Sequence, residues 1–129
     1  MKYLLLAYGN EAKFNQLSKA ELAALGERCM RFDEEMKATG KYVAGGSLSW
    51  GSKAMRLKDG KLMVTDGPFV DTKEVVGGLV IIQADSFDEA VKIASLHPAA
   101  RMGEELGWGI ELRPFDQCQA VDEALAASR

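Results

Sequence analysis

The sequence predicts an α+β fold, a ferredoxin-like split βαβ sandwich with one inserted β-hairpin, whose second sheet face is covered most simply by a symmetric partner, the alternative cover being the C-terminal helix folded back on it. Three observations carry this. The periodicities run strand, helix, strand, hairpin, strand, helix, strand along the chain. Asp59-Gly60 stands between two short runs, Ala54–Lys58 and Lys61–Thr65, as the strongest short-range hairpin signal does. Tyr3–Ala7 and Leu79–Ile82 are apolar at every position, so both of their faces must be covered, whereas two helices cover only one.

Lys2–Tyr8 is too short for a helix and reads as a strand. Ser18 with Glu21 three residues on forms a capping box, and Leu17 and Leu22 occupy the staple positions. Leu22, Leu25, Cys29, Phe32 and Met36 then draw one apolar stripe, so a helix of about five or six turns is expected, stopped at Gly40. Tyr42–Ser49 is a second strand, in which Gly45–Gly46 implies a bulge or a close backbone approach. In the hairpin, Leu57 should face Leu62 and Met55 should face Val64, with Lys58 and Lys61 on the wet side.

Asp66-Gly67-Pro68-Phe69 forms a rigid corner, because glycine admits φ > 0 and proline fixes φ near −65°. The corner leads through Asp71, Lys73 and Glu74 to Gly77–Gly78 and the apolar strand Leu79–Ala84. Ser86 with Glu89 reads as a second capping box, opening a shorter helix that Pro98 ends at His97. Ala99–Gly107 is a connection without a clear period. Trp108–Phe115 alternates as a half-buried strand, with Pro114 marking a sheet edge, and Gln117–Arg129 is expected to be helical.

The 129 residues fit one domain spanning 1–129. A net charge of −3 argues against direct nucleic-acid binding, which wants a basic face. No apolar run approaches the roughly 20 residues of a membrane span. The two cysteines, Cys29 and Cys118, match neither a disulfide framework nor a metal site, so a reducing cytoplasm is the expected location. Nucleotide, dinucleotide, zinc-protease and serine-hydrolase signatures are absent from the sequence.

His97 is the single histidine. It reads either as an acid-base group in a pocket or as a cation favoured at a helix C-terminus. Asp66 is its candidate carboxylate partner, or an Asx-turn residue bonding its own backbone. Lys73 and Glu74 could hold an anion and a proton, or form a surface ion pair. Arg113, with Glu111 on the same strand face, could cluster with Asp71 or Lys73. Trp50 and Trp108 could wall a pocket, or simply fill the core.

Asp66-Gly67-Pro68-Phe69, then Thr72-Lys73-Glu74 and Gly77-Gly78, resemble the YCII-related family, in the branch named for its DGPF motif. Asp88-Glu89-Ala90, His97-Pro98 and Glu111-Leu112-Arg113-Pro114 match as well, and Asp71 departs from the branch's usual glutamate. The resemblance implies a dimeric α+β barrel with sheets packed face to face. It also implies cofactor-free acid-base chemistry through a His–Asp pair on an unknown small-molecule ligand, of lyase or isomerase type. The alternative it implies is a non-catalytic ligand-sensing or accessory protein working with an extracytoplasmic-function sigma factor. In the first case His97 and Asp66 are the catalytic pair, and Asp71, Lys73, Glu74 and Arg113 bind substrate; no cofactor or metal is expected.

Overall fold

A computed structural model describes residues 1–69 and 72–116 of the chain. Four strands form the main sheet: β1 (Lys2–Gly9), β2 (Tyr42–Ser47), β5 (Val75–Gln83) and β6 (Gly109–Pro114). Their spatial order is β2-β5-β1-β6, all neighbours antiparallel, which is the split βαβ order. The expected Gln117–Arg129 helix lies outside the described residues.

The period of two in β1 and β5 sorts their side chains onto two faces. Tyr3, Leu5 and Ala7 oppose Ile82, Val80 and Gly78 on the inner face, where Leu5 and Ile82 are fully buried. On that face sit the long helix α2 (Lys19–Ala38) and the shorter α3 (Phe87–Ala94), contributing Met36, Ala90, Ile93 and Ala94 to the core. The outer face carries Leu4 opposite Ile81 and Leu6 opposite Leu79, all half-buried. Thus the double-sided apolarity of the sequence is real, and the two helices account for one side of it.

The capping box closes as the sequence requires. The Glu21 amide donates to Ser18 Oγ at 3.1 Å and the Ser18 amide donates to Glu21 Oε1 at 2.9 Å. Of the expected stripe, Leu25 and Met36 are buried and Cys29 and Phe32 half-buried, whereas Leu22 is exposed. Leu22 instead borders the space between α2 and the sheet described below. Ahead of α2, a one-turn helix α1 (Glu11–Phe14) is capped by Asn10, a turn that the polar composition of the stretch concealed.

The hairpin forms as predicted, β3 (Lys53–Lys58) against β4 (Lys61–Asp66), with Leu57 opposite Leu62 and Met55 opposite Val64. Asp59 and Gly60 have φ of 51° and 76°, the positive pair that a type I′ turn needs. Yet β3 and β4 make a sheet of their own, and the face expected to be dry is open to solvent. The Gly67 amide, at φ 99°, donates to the Ser52 carbonyl at 2.9 Å and so closes the root of this projecting arm.

Gly77 is a bulge in β5, since Ala7 pairs with Gly78 while Tyr8 pairs with Val76. A second irregularity falls in β2, between Tyr42 and Ala44. After α3, Ala99–Gly107 folds into two single-turn helices, α4 (Pro98–Arg101) and α5 (Gly103–Leu106). β6 is an edge strand, which is where Pro114 can be tolerated.

Candidate functional site

Between α2 and the inner face of the sheet lies a cavity of about 570 Å³, of the size that holds a small organic molecule. Its floor is the bulged end of the sheet, with Ala7–Gly9, Gly45–Ser47 and Gly77–Gly78. Leu22, Leu25, Cys29, Met30, Asp33 and Lys37 of α2 form one wall. Phe14, Trp50, Trp108 and Tyr42 supply aromatic surface, and His97 with Pro98 closes the far side. Phe14 and Trp50 pack at 5.8 Å between ring centroids, which fixes the Trp50 indole as a wall.

Space for this cavity depends on Gly45. A Cβ there would sit 2.8 Å from the Leu79 carbonyl oxygen, 2.8 Å from the Tyr42 hydroxyl and 3.0 Å from Val80 Cγ2. The sequence signal at Gly45–Gly46 therefore marks a close approach, and the irregularity falls earlier in the strand, between Tyr42 and Ala44.

His97 is half-buried and follows α3 through a turn, so that Pro98 begins α4 at its first position. Its ring is an N-cap: the Ala99 amide donates to Nδ1 at 3.0 Å. An accepting Nδ1 assigns the proton of the neutral ring to Nε2. Burial pushes the His97 pKa below its ordinary value, and the negative charge of Asp33 opposes that shift without reversing it. A carboxylate-raised histidine is thus not what forms; the ring is held neutral, as a hydrogen-bond donor.

A folded-state pKa below 6.5 has a definite consequence for stability. Above the unfolded value the neutral ring costs nothing. As pH falls through about 6.5 the unfolded chain takes up the proton first, and stability is lost until the folded value is passed. Urea midpoints measured at pH 7.5 and pH 5 should therefore fall further for the parent than for His97→Asn. Equal falls in both proteins would contradict the neutral, capped ring.

Asp33 is the carboxylate that the cavity brings to His97, and the sequence reading did not single it out. It stands four residues after Cys29 and four before Lys37, whose Nζ lies 3.3 Å from its Oδ2. Lys37 is also 5.3 Å from the centroid of the Tyr42 ring. An acid spaced four from a stripe residue and adjacent to another, Phe32, was the available signal. Cys29 shares this wall, where burial raises its thiol pKa; it serves as apolar lining rather than as a thiolate.

The other sequence candidates lie elsewhere. Asp66 is 88% exposed and pairs with Lys53 Nζ at 2.6 Å across the root of the arm. It lines a second, more open cleft of about 730 Å³ together with Glu11, Lys53, Thr72 and Lys73. Trp50 borders both spaces, so within one chain it stands between the Asp66 cleft and the His97 cavity. The expected convergence of Asp66 on His97 does not occur within the chain: Asp66 stands exposed at the root of the arm and lines the outer cleft, whereas His97 lines the cavity. Glu74 is exposed, its amide donating to Thr72 Oγ1 at 3.3 Å. Arg113 is opposite Leu4 on the outer sheet face, away from the cavity. Asp71 lies outside the described residues. No cluster of metal-binding side chains occurs among the described residues, and no helix there is long and apolar enough to cross a membrane.

The fold and cavity define a small α+β protein that encloses a ligand-sized space between a long helix and a bulged antiparallel sheet. The chain belongs to the YCII-related domain family, which matches residues 1–106. It is 33% identical over 102 residues to the uncharacterised protein R00369 of Rhizobium meliloti (strain 1021), an alignment covering 73% of this chain and 77% of that protein. Among solved structures it is similar to 5-chloro-2-hydroxyhydroquinone dehydrochlorinase of Burkholderia phenoliruptrix AC1100, in complex with 2,5-dihydroxybenzoquinone. That match has a TM-score of 0.45 and 19% identity, and it covers 90% of this chain and 94% of the other.

Proposed function

We propose that the cavity beneath α2 binds a small, flat carbonyl compound and moves a proton on it without a cofactor, in a lyase or isomerase type of reaction, within a homodimer. The observation that carries this reading is the Ala99–His97 hydrogen bond. It commits Nδ1 to the backbone and leaves Nε2–H as the group for a ligand. A neutral imidazole N–H can polarise a carbonyl and stabilise the oxyanion that forms when the adjacent carbon loses a proton. Asp33 then takes the place proposed for Asp66. Its carboxylate, held by Lys37, receives that proton and returns it to another carbon or to the departing group.

The aromatic and apolar lining supports a flat, largely apolar ligand, and expulsion of water strengthens the His97 donor. The dimer reading rests on the outer sheet face, where Leu4, Leu6, Leu79 and Ile81 would form an apolar patch unless covered. A reducing, cytoplasmic setting suits the free Cys29 thiol.

One observation favours the non-catalytic alternative, a ligand-sensing or accessory protein working with an extracytoplasmic-function sigma factor. The N-cap bond already gives the His97 ring a structural task. The two readings separate on Asp33→Asn. A panel of small aromatic and unsaturated carbonyl compounds is first screened for binding by calorimetry. Exchange of their acidic C–H protons is then followed by NMR in D2O. The enzyme reading expects Asp33→Asn to lose about 10²–10⁴-fold in exchange rate while it still binds. Binding without exchange in the parent, or exchange untouched by the substitution, would sink it in favour of the sensor.

A further inference from the structure

Among the described residues the arm formed by β3 and β4 pairs with no strand of the main sheet. It is a two-stranded sheet by itself, and such hairpins are at best marginally stable in water. One face carries Met55 opposite Val64 and Leu57 opposite Leu62, all more than half exposed. On the other face Met63 is exposed, and Arg56 lies 4.3 Å from the centroid of the exposed Phe69 ring. An exposed, apolar two-stranded ribbon is an aggregation liability unless something covers it.

We infer that the arm is a clasp, laid by each copy of this chain across the body of a second copy in the homodimer. The inference rests on the dimer reading given above and adds the surface that locks it. Charge selects the occupant. Lys53, Arg56, Lys58 and Lys61 outnumber Asp59 and Asp66 on the arm, while the whole chain is net −3. The basic arm is therefore attracted to the acidic body of a second copy. Two arms meeting tip to tip would oppose Lys58 and Lys61 to one another, which disfavours arm-to-arm pairing. Area points the same way. A stable complex takes roughly 800 Å² from each partner, more than a stripe of four side chains can offer. The outer sheet face, with Leu4, Leu6, Leu79 and Ile81, supplies the remainder. Under two-fold symmetry each such contact occurs twice, so one short ribbon contributes to the interface on both sides.

The test compares the parent with Leu57→Ser/Leu62→Ser, a pair so exposed that the fold of the monomer does not depend on it. Sedimentation velocity over a nanomolar to micromolar series is expected to show a dimer whose dissociation constant rises at least tenfold in the variant. A photo-crosslinking residue placed at Leu57 in mixed 14N/15N protein is expected to give products joining one light and one heavy chain. A dimer of unchanged affinity in the variant, or crosslinks confined to one chain, would overturn the clasp while leaving the sheet-to-sheet dimer intact. A parent that stays monomeric throughout, including one whose arm binds phospholipid vesicles instead, would overturn both.

Discussion

Gly45→Val is expected to abolish ligand binding and to destabilise the fold by about 3 kcal/mol, at the upper end of the usual cost of overpacking. The reason is what surrounds the missing side chain. Two of its three neighbours would lie at 2.8 Å, and one of these is the carbonyl oxygen of Leu79, a backbone atom of the strand paired with β2. That oxygen cannot retreat without loosening the β2–β5 ladder. The Tyr42 side chain lines the cavity, so displacing its hydroxyl changes the cavity's shape. The fold and the site thus suffer together. Urea unfolding, with calorimetry on any compound bound by the parent, reads both effects. A variant of parental stability that still bound such a compound would show that the close approach is not what shapes the cavity.

Met36→Ala is expected to cost about 2–5 kcal/mol, as truncation of a fully buried side chain does. Met36 is 0% exposed and is the side chain of α2 that belongs to the main core with Leu5 and Ile82. The rest of α2 packs elsewhere. Leu25 belongs to a separate cluster with Met102 and Leu106, and the stretch between them roofs the cavity. The helix is therefore fastened to the sheet at one end, so removing Met36 removes most of its grip there. Against a total stability of about 5–15 kcal/mol, the loss should shift the urea midpoint well beyond error. A shift below about 1 kcal/mol would mean that α2 is held mainly by its contacts around Leu25.

The architecture was legible because its signals are local. Ser18 and Glu21, Asp59-Gly60 and the unbroken apolarity of Tyr3–Ala7 each act over a few residues and appear in the structure where the sequence puts them. Of the Ser86–Glu89 capping box, the Glu89 amide donates to Ser86 Oγ, while the Glu89 carboxylate lies against Lys41 instead. The site was legible only in part. His97 was visible as a single histidine before a proline. Its partner was sought in Asp66, because the corner leads into the strand that precedes His97's helix. Closeness along the chain did not become closeness in space, since Asp66 is exposed at the root of the arm and lines the outer cleft. Asp33 was hidden for the opposite reason. It is distant in sequence from His97, and the two border one cavity only in the folded chain. Likewise the exposure of Leu57 and Leu62 could not be read from a pattern of alternation, which fixes which residues share a face but not what lies against it.

The central claim is that the space between α2 and the bulged sheet, bordered by His97, is where this protein meets its ligand. Amide and imidazole chemical shifts of 15N-labelled protein, recorded while small planar carbonyl compounds are titrated in, test it most directly. The account predicts saturable shifts at Gly45–Leu48, at Gly77–Gly78 and at His97 Nε2, with Nδ1 remaining an acceptor from Ala99. Shifts confined to Ser52, Gly67 and Lys73 would place the ligand in the outer cleft instead and contradict it.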